Sequence, residues 1–97
     1  MKLVQITYHF EFSDELEAIL DEMDIVNFAR HPMIESKDRG GKHYGSKVYP
    51  GSGSVIQALV PDDSVNPLLE ALQDFKEAEE SHRHLTAVVL AVEKQLH

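Results

Sequence analysis

The chain contains no cysteine. That excludes a disulfide framework, a thiolate metal centre and a cysteine nucleophile. It has no apolar run approaching the roughly 20 residues that a membrane-spanning helix needs. Its start, MKLVQITYHF, lacks the layout of a secretory signal and soon turns acidic, so the cytoplasm is the expected location. Basic residues are scarce: nine Lys and Arg stand against 17 Asp and Glu, a net charge of −8. General nucleic-acid binding needs a basic face to displace phosphate counterions, and is excluded as a principal function. Signatures of catalysis are missing as well. There is no Ser-centred nucleophile elbow, no HExxH and no convincing carboxylate pair, so the chain is not expected to be an enzyme.

The few bases and glycines are concentrated in one place. Arg30 to Gly53 reads RHPMIESKDRGGKHYGSKVYPGSG and holds five of the nine Lys and Arg residues and all five Gly, against two acids, Glu35 and Asp38. A long cationic, glycine-rich excursion on an acidic body is a place where an anion or a partner protein could be held. Structureless loops of that length are uncommon inside compact domains and are usually functional or disordered. The acid is concentrated too: Glu11 to Asp24 carries seven carboxylates and no base, which reads first as a solvated helix face.

Around the excursion the pattern is regular. Val4, Ile6, Tyr8 and Phe10 alternate with Gln5, Thr7 and His9, the period of a strand. Ser13 or Asp14 then offers a helix start, with Glu17 as capping partner, and Leu16, Ile19, Leu20 and Met23 form one apolar helical stripe. Ile25 to Ala29 reads as a second strand, running on toward His31, with Pro32 marking an edge, a bulge or the strand's end. Ser54 to Val60 is a third strand, apolar on both faces and therefore central. A second helix is expected to start near Ser64, where Pro67 would fall in the first turn, with Val65, Leu68, Leu69, Leu72 and Phe75 as its stripe. Glu77 to His84 reads as a polar connection and Leu85 to Val92 as a fourth strand.

The order β-α-β, loop, β-α-β gives an α+β, ferredoxin-like βαββαβ fold: a four-stranded antiparallel sheet with two helices on one face. One domain is expected to span 1–97. A chain of this length buries roughly 60–65% of its extended surface, so association is one way to bury more. Val55, Leu59 and much of LTAVVLAV also offer apolar groups to the sheet face that the helices leave open. A homo-oligomer is the simplest cover for it.

Val60-Pro61-Asp62-Asp63, at the junction of the third strand and second helix, resembles the same junction in the PII signal-transduction superfamily. The opening MKLVQ, the helix from Asp14 to Met23 and the long loop between strands two and three fall in the order that resemblance requires. The resemblance implies a homotrimer with its sheets inside, ligand clefts between subunits, and a T-loop over about 34–53 that docks onto a target such as a transporter or an enzyme. Contact with a membrane would then be indirect, through a transporter. The chain departs from classical members where their phosphate-cradling glycine motifs lie. Those regions read HPMIESKDRGG and EAEESHRH, and Glu77, Glu79 and Glu80 of the second would repel a triphosphate. It is similar to a divergent, short member.

Three readings of the site follow. In the first, a small anionic ligand, with adenine nucleotides as the class to test, is held by Arg30, Lys37, Arg39, Lys42 and Arg83, with Gly40 and Gly41 allowing close backbone approach. Tyr44, Lys47 and Tyr49 would meet the partner protein. In the second, His82 and His84, two apart and pointing the same way if Ser81 to His84 is extended, join His43 to bind zinc, nickel or copper. The third is a trimeric adaptor with no small ligand, since this shape alone fixes no activity.

Overall fold

The structure is a computed structural model that describes residues 1–34, 36–38, 41–43 and 53–96, with 36–38 and 41–43 described by their backbone alone. Strand β1 (Lys2–His9) buries Val4, Ile6 and Tyr8 on one side. A short 3-10 turn (Phe10–Phe12) leads into helix α1 (Ser13–Glu22), whose Leu16 and Leu20 are buried. Strand β2 is Phe28–Ile34, and two three-residue strands, β3 (Ser36–Asp38) and β4 (Gly41–His43), pair as a hairpin. Strand β5 (Gly53–Val60), helix α2 (Asp62–Ala78), a 3-10 turn (Glu80–His82) and strand β6 (Thr86–Ala91) complete the chain.

The four long strands form one antiparallel sheet in the order β2-β5-β1-β6. This is the expected α+β arrangement, with the hairpin set into the link between β2 and β5. The core lies between one sheet face and both helices. Val4, Ile6, Tyr8, Ile56, Ala58 and Val60 meet Leu16, Leu20, Leu68 and Leu72 there. Antiparallel partners share a face, and the register pairs Val4 with Ala58 and Ile6 with Ile56. Every second residue of β1 and β5 therefore enters this core, and β5 is central as its two-sided apolarity required.

Local signals were overruled at several points. The capping box expected around Asp14 and Glu17 does not form. The residue before α1 is Phe12, which makes no side-chain cap. Ser13 instead accepts from the Tyr8 hydroxyl at 3.0 Å and donates to the Phe10 carbonyl at 3.0 Å, while Glu17 is drawn to Arg30. Helix α2 begins at Asp62, not Ser64, so Pro67 lies in the second turn and removes the bond its N–H would give the Asp63 carbonyl. Burial of Leu68 and Leu72, and two aspartates at the positive helix end, favour the helix regardless. The helix also runs through Glu77 to Ala78, into the segment read as connection. Strand β2 starts and ends later than expected, and Pro32 marks a bulge within it rather than its end: His31 pairs with Val55 and Ile34 with Gly53, so two residues oppose Ser54.

The end of α1 is a Schellman motif. The Ile25 N–H reaches the Leu20 carbonyl at 2.9 Å and the Asp24 N–H reaches the Asp21 carbonyl at 3.0 Å. Asp24 closes it at φ 57, a left-handed conformation that glycine adopts without strain. Replacing Asp24 by Gly is expected to stabilise the fold by about 0.5–1 kcal/mol, read as a rise in the urea midpoint at unchanged slope. A lowered midpoint would show that the aspartate carboxylate contributes more than its backbone strain removes.

Candidate ligand and assembly surfaces

The sheet face away from the helices carries Leu3, Gln5 and Thr7 of β1, opposite Leu59, Gln57 and Val55 of β5 and opposite Leu90, Val88 and Thr86 of β6. Val88 is 51% exposed and Leu90 46%. Leu3, Val55 and Leu59 are half-buried. Exposed apolar groups gathered on one face are what a partner surface covers. A polar row crosses them. The His31 Nε2 lies 3.2 Å from the Gln57 Oε1, and the Gln57 Nε2 donates to the Gln5 Oε1 at 3.1 Å.

The excursion leaves the sheet at the β2 bulge and returns at Gly53. Met33, within the bulge, has φ 61 and is 73% exposed. Such a conformation in a residue with a long side chain holds backbone strain of order 1–3 kcal/mol. Gly53 is buried, and a Cβ there would lie 3.2 Å from the Ile34 Cγ1. The two ends of the excursion are thus pressed together, and only glycine leaves room for Ile34 without displacement.

Of the residues expected to bind an anion, Arg30 and Arg83 have described side chains, and both are paired within the chain. The Arg30 Nη1 stands 3.1 Å from the Glu17 Oε1 on the helix side of the sheet edge. The Arg83 Nε stands 3.8 Å from the Glu80 Oε1, and its Nη1 donates to the Glu80 carbonyl at 3.1 Å. Both pairs are exposed and contribute little to stability. Lys37, Gly41, Lys42 and His43 lie on the β3–β4 hairpin, where the register sets Lys37 opposite Lys42 and Ser36 opposite His43. Arg39, Gly40, Tyr44, Lys47 and Tyr49 fall outside the described residues.

The expected arrangement of His82 and His84 requires correction. Ser81 to His84 is not extended: Glu80–His82 is a 3-10 turn that continues into a turn at Arg83 and His84. His82 is only 8% exposed, whereas His84 is exposed. The His82 ring stacks on Phe75 at 3.9 Å and 2° and meets the Phe12 ring edge-on at 4.6 Å. Its Nδ1 donates to the Phe75 carbonyl at 2.6 Å, which leaves Nε2 facing the Glu79 carboxylate at 3.6 Å. The carbonyl belongs to the last turns of α2, so the ring serves as a cap for the helix C-terminus. Among the described residues no group of three His, Cys, Asp or Glu is placed to hold a metal ion, and no helix is long and apolar enough to cross a membrane.

Sequence reasoning missed the burial of His82, because everything from Glu77 to His84 but Ala78 is polar. It also missed the polar row. The signal was present, in Gln5 and Gln57 as mid-strand amides flanked by apolar residues on both sides.

The sequence matches no protein-family model and no curated protein. Its fold does match solved structures. CPII, a nitrogen regulatory PII-like protein from Thiomonas intermedia K12 bound to ADP, AMP and bicarbonate, superposes with a TM-score of 0.74 at 24% identity, over 92% of this chain and 88% of that one. A protein from Thermus thermophilus described as PII-like and signalling gives 0.67 at 18% identity, over 91% and 82%. A DUF3240 family protein from Shewanella baltica gives 0.75 at 13% identity, over 99% and 93%. The chain shares its ferredoxin-like fold with these PII-like structures.

Proposed function

We propose that this chain is a divergent PII-like regulatory protein. It assembles as a homotrimer through the open sheet face, senses a small anionic ligand at the clefts between subunits, and signals to a transporter or an enzyme through the excursion over about 34–53. Adenine nucleotides are the ligand class, with ADP and AMP ahead of ATP. The observation that carries this reading is the shared fold with CPII, whose structure holds ADP, AMP and bicarbonate. The chain's own residues support it in two ways. Its bases are gathered in the excursion, two of them, Lys37 and Lys42, at opposed register positions, a like-charge arrangement that an anion relieves. The three acids Glu77, Glu79 and Glu80 disfavour the extra charge of a triphosphate.

Ligand contacts are assigned to Arg30, Lys37, Arg39, Gly40, Gly41, Lys42 and Arg83, and partner contacts to Tyr44, Lys47 and Tyr49. Arg30 and Arg83 then act by exchange, each giving up Glu17 or Glu80 for the ligand's anionic group. Exchange of exposed ion pairs is nearly neutral, so neither carboxylate blocks binding. No observation favours the metal reading in the same way.

Calorimetric titration with ADP, AMP, ATP and bicarbonate tests the proposal. Saturable heat with ADP or AMP is expected. Arg30→Ala should weaken that binding about tenfold, the worth of one charge-assisted hydrogen bond of roughly 1.4 kcal/mol. Glu17→Gln should leave it unchanged or tighter. No heat with any of the four ligands contradicts the proposal, and an unchanged affinity in Arg30→Ala removes that residue from the site.

A further inference from the structure

The turn that follows β1 sends two phenyl rings opposite ways. Strict alternation would carry Phe10 into the core behind Val4, Ile6 and Tyr8. The 3-10 turn Phe10–Phe12 interrupts that period. Phe12 goes inward, onto Phe75 at 5.9 Å and His82 at 4.6 Å. Phe10 stays outside, 44% exposed, and among the described residues no other Phe or Tyr is exposed. The His9 ring packs beside it, with centroids 4.9 Å apart and planes inclined by 31°. The His9 Nδ1 accepts from the Glu11 N–H at 3.3 Å, which fixes the imidazole beside the phenyl ring.

This pair stands where the excursion meets the sheet. His9 is opposite Gly53, and Gly53 is opposite Ile34. Two strand spacings, about 10 Å, therefore separate His9 from the point where the excursion leaves, and Lys37 follows three residues later. Arg83 follows His82, whose ring rests on Phe12. The cations assigned to an anion thus flank the same end of the sheet as the aromatic pair. The pair itself is bordered by acid. The Glu11 carboxylate lies 3.9 Å from the His9 Nδ1, and Asp14 and Glu15 open α1. Phosphate is repelled there, whereas an uncharged flat ring is not. Nor do these exposed acids make the contiguous apolar patch that a protein partner covers.

Every ligand contact assigned above is a cation or a glycine. Such contacts hold phosphate but do not distinguish a nucleotide from inorganic pyrophosphate. We infer that Phe10, braced by His9, is the platform on which the purine base of the nucleotide stacks, its phosphates turned toward the bases of the excursion and Arg83. Aromatic rings favour offset stacks, and every base has a π-face to offer. The inference rests on the nucleotide reading above and adds the residue that receives the base.

Two measurements test it. The first is calorimetric titration of ADP into the wild type, Phe10→Ala and Phe10→Tyr, with circular dichroism to confirm folding. Phe10→Ala should bind ADP about tenfold more weakly, the range for loss of one base–aromatic stack. Phe10→Tyr keeps the ring and should bind like the wild type. The second uses the absence of Trp from the chain. Phe10→Trp places a single indole at the platform, and its fluorescence should be quenched by ADP but not by inorganic pyrophosphate.

An unchanged ADP affinity in Phe10→Ala overturns the platform and leaves the nucleotide reading standing. So does a Phe10→Trp protein that binds ADP with its emission unmoved, or one that pyrophosphate quenches equally. If Phe10→Ala does not fold, the Trp variant decides. A wild type that binds no ADP overturns both the platform and the reading beneath it.

Discussion

Val88→Asp combined with Leu90→Asp is expected to produce a folded monomer. Both residues lie on β6 opposite Gln5 and Leu3, on the face without helices, and about half of each is exposed in one copy. Fully burying such a side chain is worth about 1.5–3 kcal/mol, so each copy forfeits a few kcal/mol of adhesion. Two carboxylates per copy must then enter an apolar contact unpaired, which adds several kcal/mol more. Together these shift the association constant by roughly three orders of magnitude or more. The fold itself should survive, because neither residue touches the core that Val4, Ile6, Leu16 and Leu68 form on the other side. Sedimentation velocity at micromolar concentration reads the result. A double variant that sediments like the wild type would place the interface elsewhere.

His82→Ala is expected to destabilise the fold by about 3 kcal/mol. The change removes a stack on Phe75 and an edge contact with Phe12, and aromatic pairs contribute about 0.5–1.5 kcal/mol beyond their buried area. It also leaves the Phe75 carbonyl without its 2.6 Å partner, at about 1–3 kcal/mol for a buried group, and opens a cavity. At about 5 °C per kcal/mol for a domain of this size, the melting temperature should fall by roughly 15 °C. His82→Phe keeps the stack, loses only the hydrogen bond, and should show about half the loss. Addition of zinc should change none of these values. A zinc-dependent rise in the wild type alone would restore a ligand role for His82.

The sheet and both helices were legible because their signals are periodic and local. Alternation in LVQITYHF and in SVIQALV reports which face meets the helices, and the two-sided apolarity of β5 reports its central place in the sheet. What escaped depends on distant residues. Ser13 looked like a helix cap, but Tyr8, brought alongside by the end of β1, takes its hydroxyl. Pro67 looked like a first-turn residue, but the helix reaches back to Asp62 because β5 ends where Pro61 turns the chain. His82 sits in a string of charges, and only the meeting of Phe12 with Phe75, 63 positions apart in the sequence, makes an aromatic bed for it. The hairpin was hidden because Lys, Asp and Gly have weak strand preference. Of the site, the gathering of bases was legible in composition. The pairing of Arg30 with Glu17 and of Arg83 with Glu80 was not, since a charge count does not show which carboxylate lies beside which guanidinium.

Anion sensing between subunits is most directly tested by native mass spectrometry of the protein with ADP, which weighs the assembly and its ligand together. The account predicts three chains of 11.0 kDa each carrying up to three ADP, with fewer retained in Arg30→Ala. A single bare chain, or a trimer that retains no nucleotide at millimolar ADP, would contradict it.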